Sequence, residues 1–225
     1  MGKIKSFIKN ILKNPKMYGF ICKIYNFLQP GNRFRGKRGN RVIGTALMKR
    51  CKIHFTGKGN TLELRPGVRL KNCSFQFRGN NNHVILEEGV YGNGMDVYLE
   101  DDGNRFAAGK RTFFCGKIHL ACTEGTAIQI GEDCLFSSDI VFRTGDSHAI
   151  TDLEGNRINP AKDIVFADHI WVGHRVLVNK GVRIAKDCVI GTGAVVTKPF
   201  EETNCIIAGV PAKIVKTGIN WNGER

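Results

Sequence analysis

In the C-terminal third of this chain, aliphatic residues return every six positions. Val172, Val178, Ile184, Ile190 and Val196 form the series, and Phe166 extends it backwards. Each is followed by a small or turn-prone residue: Ala167, Gly173, Asn179, Ala185, Gly191, Thr197. A second register runs two residues earlier, through Ile164, Ile170, Val176, Val182, Cys188 and Ala194. Helices repeat near 3.6 residues and strands every two, so neither gives strict sixes. A coil with three short flat faces does. Each face is a brief strand with two inward side chains, and each corner takes a small or φ-tolerant residue. This hexapeptide period predicts an all-β solenoid, a parallel β-helix.

The coil continues upstream in a looser form. Leu62, Val84, Phe106 and Ile128 stand 22 apart, with Leu64, Leu86, Ala108 and Ile130 as partners two residues on. Each follows a turn cluster such as Gly59-Asn60 or Gly79-Asn80-Asn81-Asn82. The spacing reads as three hexads plus a four-residue bulge at one corner, whereas 164 to 182 is three hexads alone. Residues 146–163 lose the aliphatic pattern and carry Gly155, Asn156, Asn159 and Pro160. They read as a loop thrown out from the solenoid, and long loops on regular scaffolds tend to carry function. The predicted division is a basic amphipathic helical arm (1–38), a β-helix (39–200) interrupted by the 146–163 loop, and a C-terminal tail (201–225).

The net charge of +14 belongs to the arm. Residues 1–62 hold fifteen Lys and Arg and no acid; the rest is close to neutral. Ile4, Phe7, Ile8, Ile11 and Leu12 make one apolar helical stripe, and Met17, Phe20, Ile21, Ile24, Phe27 and Leu28 a second. Two readings stand: a helix lying on an anionic membrane, or a cap on the open end of the solenoid. Nucleic acid is not expected, because the solenoid lacks a basic stripe with interleaved aromatics. No apolar run is long enough for a transmembrane helix, and the lysine-studded start does not read as a secretory leader. Eight cysteines without a CxxC, two of them (Cys134 and Cys188) at inward hexad positions, predict buried thiols in a reducing cytoplasm.

The hexads, the GDSHAI loop, the run DHIWVGHRVLVNKGVRIAKDCVIGTGAVVTK and the ending CIIAGVPAKIVK together resemble the left-handed β-helix acetyltransferases. These are hexapeptide-repeat O-acetyltransferases of sugars and bacterial surface polysaccharides. The close resemblance covers residues 126–217. It implies a left-handed coil, a homotrimer with active sites between neighbouring solenoids, acetyl-CoA as donor, a sugar or glycan as acceptor, and no metal.

Acetyl transfer to a hydroxyl needs a base for the hydroxyl proton and donors for the oxyanion. His148 matches the family's catalytic histidine, and Asp146 could orient it as a carboxylate does in a triad. Trp171 falls between two inward residues and should point outward, which the resemblance places at the acetyl group; trimer packing is the alternative. Gly173, Gly191, Gly193 and Ala194 would keep a coil edge low for the pantetheine arm. Lys198, Lys213 and Lys216 would meet the CoA phosphates. Asn179 and Lys180 are weaker candidates. His169 and His174 are five apart, but position 179, where β-helical carbonic anhydrases supply a further histidine, is asparagine. An amino-sugar N-acetyltransferase would need the same base, and a non-catalytic membrane scaffold is the reading from another class.

Overall fold

Parallel pairing between successive coils sets the architecture of the computed structural model, which describes residues 15–223. Three sheets, parallel except for the last strand of the third, form the faces of a triangular β-helix. Face one has eight strands, from Arg33–Arg35 to Val195–Val196; face two has seven, from Arg41–Gly44 to Arg183–Ile184; face three has nine, from Leu47–Lys49 to Ala212–Thr217. The registers are those of the sequence repeat. Leu62 pairs with Val84, Val84 with Phe106 and Phe106 with Ile128. Ile128 then pairs with Ile164, so the coil closes across the intervening loop as though it were absent.

The inward positions make one continuous core. Val172, Val178, Ile190 and Val196 are fully buried, Ile184 is nearly so, and Cys134 and Cys188 sit among them. Like residues stack on like: the rings of Phe55 and Phe77 are 4.5 Å apart, and those of Phe114 and Phe136 4.8 Å. These distances match the spacing of neighbouring strands, which fixes the stack. Phenylalanine rings run down the core from Phe55 to Phe166, and the coils from Val172 to Val196 are filled mainly by Val and Ile.

The extra residues of the upper coils lie at one edge. Between faces one and two the chain takes nine steps from Phe75 to Val84 but four from Val178 to Val182. An asparagine ladder organises this edge. Asn60 N–H donates to Asn40 Oδ1 (2.9 Å), Asn82 N–H to Asn60 Oδ1 (2.9 Å) and Asn104 N–H to Asn82 Oδ1 (2.8 Å). Asn60, Asn82 and Asn104 are buried, and the Asn40, Asn60 and Asn82 carboxamides each satisfy a backbone donor of the next rung; Asn104 ends the ladder, its Nδ2 turned to Asp101. The 146–163 loop leaves from the same edge.

Both ends are closed. A helix over Pro15–Phe27 lies on the first coil. The face it docks is Tyr18, Cys22 and Asn26: the first two are buried, and Asn26 bonds the Ala46 carbonyl and the Met48 amide (2.9 and 2.8 Å). The second apolar stripe faces outward instead, with Phe20, Ile24, Phe27 and Leu28 exposed. The first stripe, Ile4 to Leu12, lies outside the described residues. Strand pairing begins at Arg33, within the stretch assigned by sequence to the arm. At the far end Cys205–Gly209 pairs with Val189–Ile190 and folds back antiparallel on Ala212–Thr217. All eight cysteines are free, and burial pushes the Cys122 and Cys134 thiols up to about 12.

Ile184→Asp should abolish folding, because it places an unpaired carboxylate in a dry core. Loss of the cooperative thermal transition is the expected outcome; a soluble, cooperative variant would contradict the register.

Candidate active site

The loop after Ile140–Arg143 begins with a fixed turn. Ser147 has φ +64°, and its hydroxyl accepts a bond from Arg143 Nη2 (2.9 Å). Further on the loop is a small hairpin, bridged at Thr151 and Arg157 and turned over Asp152–Asn156, where Asp152 Oδ1 accepts from Asn156 N–H (2.7 Å). Ile150, Leu153 and Ile158 are exposed on it.

Asn159 holds this hairpin to the solenoid. Its Nδ2 donates to the His148 carbonyl (2.8 Å) and to Asp146 Oδ2 (2.9 Å), while its Oδ1 accepts from Ile150 N–H (2.7 Å) and Arg157 Nε (3.3 Å). Its side chain therefore uses both donors and two acceptor positions, and the residue is buried. Lys180 reaches in from the next coil, bonding Asp146 Oδ2 and the Asn159 carbonyl (2.9 Å). Glu124, from the preceding coil, takes Arg157 and the Ala161 amide. The backbone at His148 is thus pinned between two coils, and the histidine side of the loop is exposed to solvent.

Asp146 does not bond the His148 ring. Its carboxylate is engaged by Lys180 and Asn159, which hold it below the usual carboxylate range. In this chain Asp146 positions the loop backbone through Asn159.

Trp171 stands in the middle of face three, between Leu135 and Val189, and is 42% exposed. Its indole N–H has no hydrogen-bond partner among the described residues. Face three lies opposite the edge that carries His148, so a single chain does not bring the two together. The other candidates divide the same way. Lys180 and Lys198 lie along the His148 edge, Lys198 with its ammonium 5.7 Å from the Phe200 ring. Gly173, Gly191 and Gly193 form the corner that follows face three, and Lys213 and Lys216 are exposed on the hairpin strand of that face. Concavities of about 450, 420 and 330 Å³ exist on this chain, and neither His148 nor Trp171 lines any of them.

The glycines differ in purpose. A Cβ on Gly173 would meet the Thr192 amide nitrogen at 2.7 Å, so close coil packing demands a glycine there. Gly193 has φ +73°, and a Cβ there would find nothing within 4 Å, which leaves that corner open to a ligand. Ala194 is fully buried; its N–H bonds Gly191 and its carbonyl accepts from Leu177, so it has little left to offer a pantetheine chain. His169 and His174 have separate partners: His169 Nδ1 pairs with Asp187 (2.8 Å), and His174 Nδ1 with Ser138 Oγ (2.9 Å). Sequence spacing could not single out Asn159, whose role appears only when the hairpin folds back. Lys180 carried a weak signal, as a cation just after an inward hexad position.

No protein-family model matches the chain. It is 34% identical over 181 residues to the polysialic acid O-acetyltransferase of Neisseria meningitidis, covering 80% of this chain and 83% of the relative. It is 35% identical over 120 residues to the polysialic acid O-acetyltransferase of Escherichia coli O1:K1, covering 53% of this chain and 38% of that longer protein. Among solved structures it superposes on the polySia-specific acetyltransferase NeuO with a TM-score of 0.76 at 32% identity, covering 87% of this chain and 82% of that one. For the polysialic acid O-acetyltransferase OatWY the TM-score is 0.75 at 28% identity, covering 87% and 89%.

Asn159→Ala should loosen the loop without melting the solenoid. It removes the acceptor of the part-buried Ile150 amide and the tie to the His148 carbonyl, at a local cost of about 1 kcal/mol per bond. Faster proteolysis within 146–163 and lower turnover are expected, with Tm shifted by less than about 4 °C. The Asp146 tie should survive mild acid and be lost only as pH falls through its lowered pKa, because protonation removes the charge that Lys180 pairs with.

Proposed function

We propose, for a chain that belongs to the hexapeptide-repeat O-acetyltransferase family, that it moves an acetyl group from acetyl-CoA to a sugar hydroxyl of a surface polysaccharide, at a site shared between neighbouring copies. The coil is then the left-handed β-helix of that family. One observation carries the shared site: the sequence-predicted residues fall into two sets, on an edge and on the face opposite. A neighbour that lays face three against that edge joins both sets at once. The apolar outer row of face three, Tyr91, Phe113, Leu135, Trp171 and Val189, is a surface that a second copy would cover. Three such contacts close into the family's trimer.

At the joined site, His148 of one copy takes the proton from the acceptor hydroxyl as its oxygen attacks the thioester carbonyl. The unpartnered Trp171 N–H of the neighbour donates to the acetyl oxygen as negative charge develops there. The C–S bond breaks, the proton passes from the imidazolium to the departing sulfur, and acetyl ester and CoA thiol leave. Lys198 of one copy, with Lys213 and Lys216 of its neighbour, would face the CoA phosphates. Gly193 leaves room beside them.

The first acceptor to try is polysialic acid, on which the relatives named above act. A basic strip on the outside of face one supports an anionic polymer: Arg33, Arg35 and Lys52 line a groove of about 330 Å³ with His54 and Gln76. His148→Ala should lower turnover about a hundredfold or more, read as thiol release, with acetyl-CoA affinity nearly unchanged. Unchanged turnover, or a loss lying wholly in acetyl-CoA binding, would contradict the assignment.

The arm supports a second contact, with an anionic membrane. Among the described residues no helix is long and apolar enough to cross one. The Pro15–Phe27 helix caps the solenoid with its Tyr18–Cys22 side and leaves Phe20, Ile24 and Phe27 outward, next to a stretch rich in lysine. Binding to anionic vesicles should be measurable at low salt and weaken as the Debye length shrinks, to about 8 Å at physiological ionic strength. Salt-independent binding would count against it.

A further inference from the structure

Near its C-terminal end the chain returns to the face that carries Trp171. After the Ala212–Thr217 strand, Gly218 turns it at φ +67°. Ile219 is held on both sides by Asn204: its N–H donates to the Asn204 carbonyl (3.0 Å), and its carbonyl accepts from Asn204 Nδ2 (3.1 Å). Trp221 is thereby brought against His169. The two rings lie 4.3 Å apart and 8° from parallel, and Trp221 Nε1–H donates to the His169 carbonyl (3.0 Å). Asp187 fixes the imidazole through Nδ1 at 2.8 Å. The Trp221 ring lies 6.1 Å from the ring of Trp171, inclined by 43°. The two indoles, the chain's only tryptophans, form an open aromatic corner.

We propose that Trp221 is a specificity-determining residue, which packs a sugar ring of the acceptor beside the acetyl-transfer site. The two tryptophans differ in what they can offer. Trp171 keeps its N–H and can donate a hydrogen bond. Trp221 spends its N–H on a backbone carbonyl and one ring face on His169, so only the other face remains. An indole face suits the C–H side of a pyranose, which is apolar while the hydroxyls point sideways to water. Ordering Trp221 by a stack, an N–H bond and a two-bond clamp at Ile219 costs conformational entropy. A preorganised contact surface gives that ordering a use.

This inference rests on the proposed role of Trp171, and the test separates the two. Turnover is measured by thiol release with polysialic acid and with a methyl galactoside, and the one wild type acetylates faster serves as probe. Trp221→Ala should raise the KM for that probe on the order of tenfold, with the KM for acetyl-CoA within about twofold. Trp221→Phe keeps a stacking face but loses the N–H, and should recover most of the acceptor KM. In Trp171→Phe protein Trp221 is the sole indole emitter, and its fluorescence should shift on adding the probe but not on adding acetyl-CoA. An unchanged acceptor KM in Trp221→Ala, with Trp171→Ala impaired, overturns the role of Trp221 alone. Full activity in both alanine variants overturns the site on face three as well. Equal rises in both KM values, with no fluorescence shift, would make Trp221 a tail anchor and overturn the proposal.

Discussion

Every part of this molecule depends on one repeating contact: each inward side chain rests on its equivalent one coil away. A single coil has two or three apolar residues per face and cannot bury them alone. Stacking buries them, and parallel backbone pairing holds the stack in register. Nothing can be inserted on a face without breaking that register. Insertions survive only at a corner, and here the edge between faces one and two accepts them. The asparagine ladder Asn40–Asn60–Asn82–Asn104 occupies that edge in the upper coils. Below it, at the same edge, the chain leaves for the hairpin carrying His148, and Ile128 still pairs with Ile164 beneath.

That geometry shapes how chemistry can arise. A convex prism offers flat faces and edges, not an enclosed pocket. Its loop can present a base at one edge, and its outward positions can present an indole on one face, but edge and opposite face never converge within one chain. Water exclusion and convergence must come from a neighbour. The proposed site is therefore a property of the assembly, and the role of each chain is to hold its half rigid. Asn159, Lys180 and Glu124 do this for the histidine half, and the His169–Trp221 stack does it for the tryptophan half.

Much of this was legible in the sequence because the fold is periodic. Strict sixes from Phe166 to Val196 give inward residues one by one, and the 22-residue spacing from Leu62 to Ile128 gives the wide coils. His148 stood out as a candidate through resemblance, and Trp171 through resemblance and an outward position that an apolar residue should avoid. The contacts holding them were not. Asn159 acts through a hairpin whose closure no local pattern specifies, and Trp221 meets His169 across 52 residues of chain. The arm shows a different limit. Amphipathic spacing found a stripe, but the helix docks by Tyr18, Cys22 and Asn26, because Asn26 satisfies backbone groups at the first coil that an apolar face would leave unpaired. Arg33–Arg35 likewise joins the first sheet although its composition matches the arm, since backbone pairing is indifferent to its charged side chains.

The most direct test of a shared site is complementation between two inactive parents. Differently tagged His148→Ala and Trp171→Ala chains are co-expressed, mixed assemblies are isolated, and thiol release is compared with each parent. If His148 comes from one copy and Trp171 from the next, every mixed closed trimer leaves about one third of its sites with both residues intact. Activity well above both parents, approaching that fraction of wild type, is expected. Mixed assemblies no more active than the average of the parents would contradict a site built between copies.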